Sequence, residues 1–191
     1  MLVASRPVLR RGGLAAHPAL CGGRSVLTCL LLCFVIIVAV PLPHDASPPT
    51  VSYQGDLGTM ARAARYPVLA PAGLPLSWSP VSSGVALGGA NGAGTATWQL
   101  GYVTPSGTLA SMEESDAAPA AFIRRMTNAG TAVPPVRVAG RTWRASVAPG
   151  RGQRSLYETD VAGATIVITG NASWDQLRAL AASLRPVPSE G

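Results

Sequence analysis

Five carboxylates carry most of the chemistry this chain could perform: Glu113, Glu114 and Asp116 in one cluster, with Glu158 and Asp160 further on. Two suitably placed carboxyls are the minimum set for glycosidic acid–base catalysis, one protonated to donate and one ionised to attack or to activate water. All five fall where strands are expected to end and turns to begin, so the cluster reads as a solvated strand end, with Glu114 and Asp116 on one side and Asp116 capping the helix that follows. It lacks the alternating Asp/Asn and Gly spacing of an EF-hand calcium loop. The remaining reactive side chains lie elsewhere: His17 and His44 precede the expected folded head, and Cys21, Cys29 and Cys33 lie in or just before an apolar run near the N-terminus. A Ser-His-Asp triad, a Cys–His pair, a His-based zinc site and a disulfide are therefore excluded from the head. No catalytic residue, metal ligand or cofactor-binding residue is assigned.

Trp78, Trp98, Trp143 and Trp174 are the whole tryptophan complement. Their spread along expected strands makes them core anchors, with a sugar- or lipid-lined groove as the competing reading. Asn171-Ala172-Ser173 matches a glycosylation sequon, but Ser173 already has a helix-capping role. The Gly-rich segment 88–94 has neither the Lys nor the following helix of a phosphate-binding loop, which argues against nucleotide binding.

These side chains must be positioned by a small set of elements. Leu57, Met60, Ala61 and Ala64 recur at helical spacing, giving a helix that Asp56 starts and Pro67 stops; residues 67–75 carry three prolines and a glycine and read as loop. Strands are expected over 76–87, 95–103 and 108–114, the last two joined by the turn Thr104-Pro105-Ser106-Gly107. A helix follows from Asp116 to about Thr127 with Phe122, Ile123 and Met126 inward and Pro119 in its first turn. Hairpins are expected over 133–148, turning at Ala139-Gly140, and over 153–169. Thr165-Ile166-Val167-Ile168-Thr169 is β-branched on both faces and so marks a central, covered strand. Ser173 and Gln176 form a capping box for a last helix striped by Leu177, Leu180, Ala181 and Leu184 and stopped by Pro186. The sum is an α+β head over residues 53–186, an antiparallel sheet of six to seven strands packed with about three helices, ending in a flexible 187–191.

What precedes the head sets its address. Val26 to Leu42 is a 17-residue run whose one polar side chain is Thr28 and which has no charge. It reads as one transmembrane helix within residues 25–42, an uncleaved signal-anchor in contact with membrane lipid through residues 26–42. Arg6, Arg10, Arg11 and Arg24 precede it, so a disordered basic tail, residues 1–24, stays cytoplasmic and the head is extracytoplasmic. A Pro-rich linker, residues 43–52, spaces head from membrane. From residue 43 onward there are 11 Arg against 9 acids, a balance of +2 within the total of +6, so the basicity is mostly a topology signal and nucleic acid is not an expected partner.

Four ordered runs, YPVLAPAGLP, WQLGYVTPSGTLASMEESDAAPAAFI, VAGRTW and ATIVITGNASWDQLRALAASL, resemble an actinobacterial membrane-anchored family known as domain of unknown function 4245, over about residues 26–185. The resemblance implies a single-pass protein of the cell membrane and implies no activity. Together with the missing catalytic set it leads to an expectation of a non-enzymatic envelope interaction module binding a protein or a cell-wall polymer. A lipid or other apolar-ligand binding module is the alternative, and a carboxylate-dependent glycan hydrolase a distant third.

Overall fold

The computed structural model describes residues 49–88 and 94–188. The expected cytoplasmic tail, the apolar run Val26 to Leu42 and most of the Pro-rich linker lie outside these residues, as do 89–93 of the Gly-rich loop and the last three positions. No helix among the described residues is long and apolar enough to cross a membrane. The described chain runs α1 (Gln54–Ala63), β1 (Leu69–Pro71), β2 (Ser79–Leu87), β3 (Ala96–Val103), β4 (Leu109–Ser115), α2 (Pro119–Met126), β5 (Thr131–Val138), β6 (Arg141–Ala148), β7 (Gln153–Val161), β8 (Ala164–Gly170), α3 (Trp174–Ser183) and β9 (Leu184–Pro186). This is the expected α+β class: seven strands form one sheet in the order β2-β3-β4-β8-β7-β6-β5, and β1 pairs with β9 in a separate two-stranded ladder.

Every pairing is antiparallel. The turns explain the hairpins. Ala139 and Gly140 both adopt positive φ, 50° and 82°, which matches the right-handed twist of the strands they join. Between β3 and β4 the Gly107 N–H donates to the Thr104 carbonyl at 2.9 Å, with Gly107 at φ 76°. Both edge strands carry proline, Pro80 in β2 and Pro134 and Pro135 in β5, and the register shifts beside each. Prolines and bulges at the edges block pairing with further strands.

Residues alternate across the sheet. On one face Trp98, Leu100, Met112, Ile166, Ile168, Leu156 and Trp143 join Met60 of α1 and Leu177 and Leu180 of α3 in a single buried cluster. On the other face α2 packs against β8, and its Phe122 is only 2 % exposed. Residues 164–169 of β8 are all buried, as their two-sided β-branching predicts.

Four local readings need correction. α1 begins at Gln54 with Tyr53 at its N-cap position, and Asp56 lies within the first turn, where it accepts a hydrogen bond from the Ser83 hydroxyl at 2.5 Å. Asp116 is likewise not a cap: α2 starts after Ala118, and Asp116 instead accepts the Ala96 N–H at 2.7 Å, fastening the start of β3. The proline-rich 67–75 loop contains a strand, β1, because the C-terminal residues 184–186 offer it a partner that no local pattern announces. Finally, β2 starts at Ser79, not at Leu76, which is fully exposed.

Candidate functional site

The acidic cluster departs furthest from expectation. β4 lies between β3 and β8, inside the sheet, and runs on to Ser115 opposite Thr97 and Thr165. Glu113 and Glu114 are therefore strand-interior residues, 4 % and 0 % exposed, not a wet strand end. Being adjacent, they point to opposite faces. Glu114 enters the cluster between sheet and helices, where its Oε2 accepts the Leu69 N–H at 3.0 Å. Its other oxygen has no hydrogen-bond partner, and neither have the indole N–H groups of Trp98 and Trp143 on the same face. Burial pushes the Glu114 carboxyl up to about 7, against the opposing pull of the Leu69 N–H and the Arg141 guanidinium. Burial likewise pushes Glu113 up to about 7, with the Ser111 hydroxyl and Arg125 pulling the other way.

The remaining carboxyls do not converge on these two. Glu158 shares the face of Glu114, both registered against Ile166. Two strand spacings set their backbones about 10 Å apart. Glu158 is bound by Arg141 at 2.8 Å, whose guanidinium lies 5.4 Å from the Trp143 ring centre. Asp160 is exposed at the register shift near the end of β7, at φ 59°. Asp116 sits at the rim. A substrate could not reach Glu114 without opening the core, so the set does not form the paired-carboxylate cleft of a glycosidase. The tryptophans are core anchors: Trp98 is 0 % and Trp143 1 % exposed, and Trp78 packs edge-on against Tyr102 at 6.0 Å. Trp174, half-buried, borders a groove of about 270 Å³ with Val133, Pro134 and Val136.

The accessible architecture is on the opposite face. That face carries short polar side chains, tied to one another by Ser155–Thr169 at 3.2 Å and Thr97–Ser115 at 2.7 Å, with Ser115, Ser155 and Thr169 buried and Gln99 and Ser82 exposed. A groove of about 450 Å³ is lined there by Ser82, Gln99, Ser111, Gln153 and Thr169. Gly101 and Gly170 flatten its floor. A Cβ on Gly170 would collide with the Leu109 backbone carbonyl. Asn171, read from sequence as a sequon position, closes one end by accepting the Leu109 N–H at 2.7 Å. A second groove of about 710 Å³ lies along α2, with Arg124, Arg125 and Arg151 on its walls and Ala117, Ala118 and Ala121 on its floor. Neither groove was found from sequence, because each gathers residues from distant segments. The usable signal was β8: a strand covered on both faces implies that its neighbour β4 is covered too, which would have moved the two glutamates inward.

Fold and surface together define an α+β domain with one closed and one more open sheet face. The chain belongs to the family described as protein of unknown function (DUF4245), whose profile matches residues 24–184. Among curated proteins none matches. Two solved structures overlap weakly: the complex of Pseudomonas aeruginosa MucA/MucB, at 13% identity, and MucB in complex with MucA(peri), at 12%. Each has a TM-score of 0.33 and covers 63% of this chain, which spans 35% and 36% of theirs. At that score the overlap establishes no common fold and carries no functional argument.

Proposed function

We propose that this protein is a tethered binding module that engages a protein partner through the open face of its seven-stranded sheet and performs no catalysis. One observation carries the reading: α1 and α3 close one face into a complete core, while the other, past α2, presents the Ser82–Gln99–Ser111–Thr169 groove to its surroundings. An antiparallel sheet can keep one face packed and the other solvated, so the open face is stable alone and free to take a partner. Short hydroxyl and amide side chains suit adaptable hydrogen bonding to a partner's backbone. The apolar run Val26 to Leu42 supports a single-pass anchor, and the four arginines before it support an extracytoplasmic head. The full burial of Trp98 and Trp143 keeps those two rings from lining a ligand groove.

The test is site-specific photocrosslinking in cells. A photoreactive residue at Gln99 is expected to capture one discrete protein, capture is expected to vanish when Ser111→Trp fills the groove, and the same probe at Arg62 on α1 is expected to capture nothing. Equal capture from both positions overturns the proposal. So does turnover of a peptidoglycan fragment that Glu114→Gln abolishes.

A further inference from the structure

The groove along α2 differs in chemistry from its polar neighbour. Arg124, Arg125 and Arg151 are all exposed, and no carboxylate lines the groove with them. The ion pairs among the described residues, Arg141–Glu158 and Arg178–Asp175, involve none of the three. Arg125 is steadied by the Phe122 ring, 5.5 Å from its guanidinium carbon. The acid that acts on it, Glu113, is buried on the sheet and removed from the surface. The walls are also braced. Gln153 donates to the Met126 carbonyl at 2.8 Å and accepts from the Asn128 side chain, which binds the end of α2 to the segment carrying Arg151. Asn128 and Ala129 turn the chain there with φ of 52° and 50°. Three arginines thus line a shared space with Ala117, Ala118 and Ala121, on segments that Gln153 holds together before any ligand arrives.

We propose that this groove binds an acidic peptide segment of the partner protein, its carboxylates paired to Arg124, Arg125 and Arg151 and its aliphatic side chains laid on Ala117, Ala118 and Ala121. The proposal rests on the reading of the open face as a partner surface, with which the groove shares Arg151. Guanidinium forks match carboxylates bidentately, and charge complementarity at an exposed cluster of one sign raises both encounter rate and specificity. A lone phosphate would satisfy the arginines and leave the alanine floor wet, and a flat bilayer would not follow a concave floor.

The test uses the full-length chain and a fluorescent peptide of alternating Glu and Leu, with binding read by anisotropy. Binding is expected, weakening as salt rises. Arg124→Gln with Arg151→Gln is expected to lower affinity at least about tenfold. The corresponding Lys pair is expected to recover only part, because Lys keeps the charge and loses the fork. Ala121→Glu, which leaves the arginines intact and places a negative charge on the floor, is expected to abolish binding. Unchanged affinity in either the Gln pair or the Ala121→Glu variant overturns the proposal, as does equal binding of a Lys–Leu peptide. Binding of phosphatidylglycerol vesicles or of inorganic phosphate, with no binding of the Glu–Leu peptide, also overturns it. Loss of peptide binding with the Gln99 crosslink intact refutes this groove alone, whereas peptide binding without the crosslink refutes the wider reading alone.

Discussion

The Glu114 carboxylate accepts the backbone N–H of Leu69, 3.0 Å away and 45 residues earlier in the chain. This bond joins the inside of the large sheet to the small β1–β9 ladder, and it places an acid where hydrocarbon would otherwise sit. Removing the acceptor leaves an orphaned N–H, so Glu114→Ala should destabilise by about 2 to 4 kcal/mol, from the lost contacts and the unsatisfied donor together. Glu114→Gln keeps an oxygen for Leu69 and should cost much less. Denaturant titration of the two variants reads the difference, and equal losses would show that the bond contributes nothing.

Stability should fall as pH rises through the weakly acidic range. Glu113 and Glu114 both have folded values raised from 4.5 to about 7. Below about 4.5 both are protonated whether the chain is folded or not; above that the unfolded chain releases protons that the folded chain retains, and the loss is complete above about 7. The cost is about 3 kcal/mol for each carboxyl. Thermal midpoints across this interval should decline in the native protein and stay nearly level in Glu113→Gln/Glu114→Gln. A native midpoint that climbs would refute the burial of these groups.

The start of α3 should be more sensitive at Gln176 than at Ser173. Ser173 Oγ accepts the Gln176 N–H at 3.2 Å, and Gln176 Oε1 accepts the Ser173 N–H at 3.0 Å. Gln176 also donates to Ser106 at 2.9 Å and accepts from Thr108 at 3.2 Å, tying the helix to the β3–β4 turn. Ser173→Ala should cost about 1 kcal/mol. Gln176→Ala should exceed it, and Leu177→Ala or Leu180→Ala, both fully buried, should cost about 2 to 4 kcal/mol. Urea midpoints that rank Ser173 above Gln176 would contradict the tie.

Gly170→Ala should cost about 3 kcal/mol or more, because its Cβ would meet a backbone carbonyl that cannot rotate away. Gly107→Ala meets nothing and strains only its turn at φ 76°, so it should cost about 1 kcal/mol. Melting temperatures of the pair check the order.

Much of this fold was legible because the signals were local. The capping box at Ser173 and Gln176, the Ala139-Gly140 turn and the two-sided covering of β8 each follow from a few neighbouring side chains. The misreadings share one cause. Asp56 and Asp116 look like caps, yet each is bound by a group from another segment, the Ser83 hydroxyl and the Ala96 N–H. Glu113 and Glu114 look like surface because charged residues are seldom buried, and only the sheet order reveals that β4 is interior. The arginine groove was illegible for the same reason: Arg151 reaches Arg124 and Arg125 through a fold that brings the start of β7 beneath the end of α2.

The β1–β9 ladder bears on how this protein is made. Leu69, Ala70 and Pro71 find their partners in Pro186, Arg185 and Leu184, and the Val187 N–H closes the clasp on the Val68 carbonyl at 2.8 Å. A ribosome releases β1 well before β9, which lies far downstream, so during synthesis the early strand waits without its mate. The Leu69 side of the core and the Glu114 carboxyl stay open until then, which ranks this contact among the slow, non-local steps of folding. A chain stopped short of Leu184 would carry a near-complete sheet with an unlatched entrance, and quality control would meet it as an aggregation-prone intermediate.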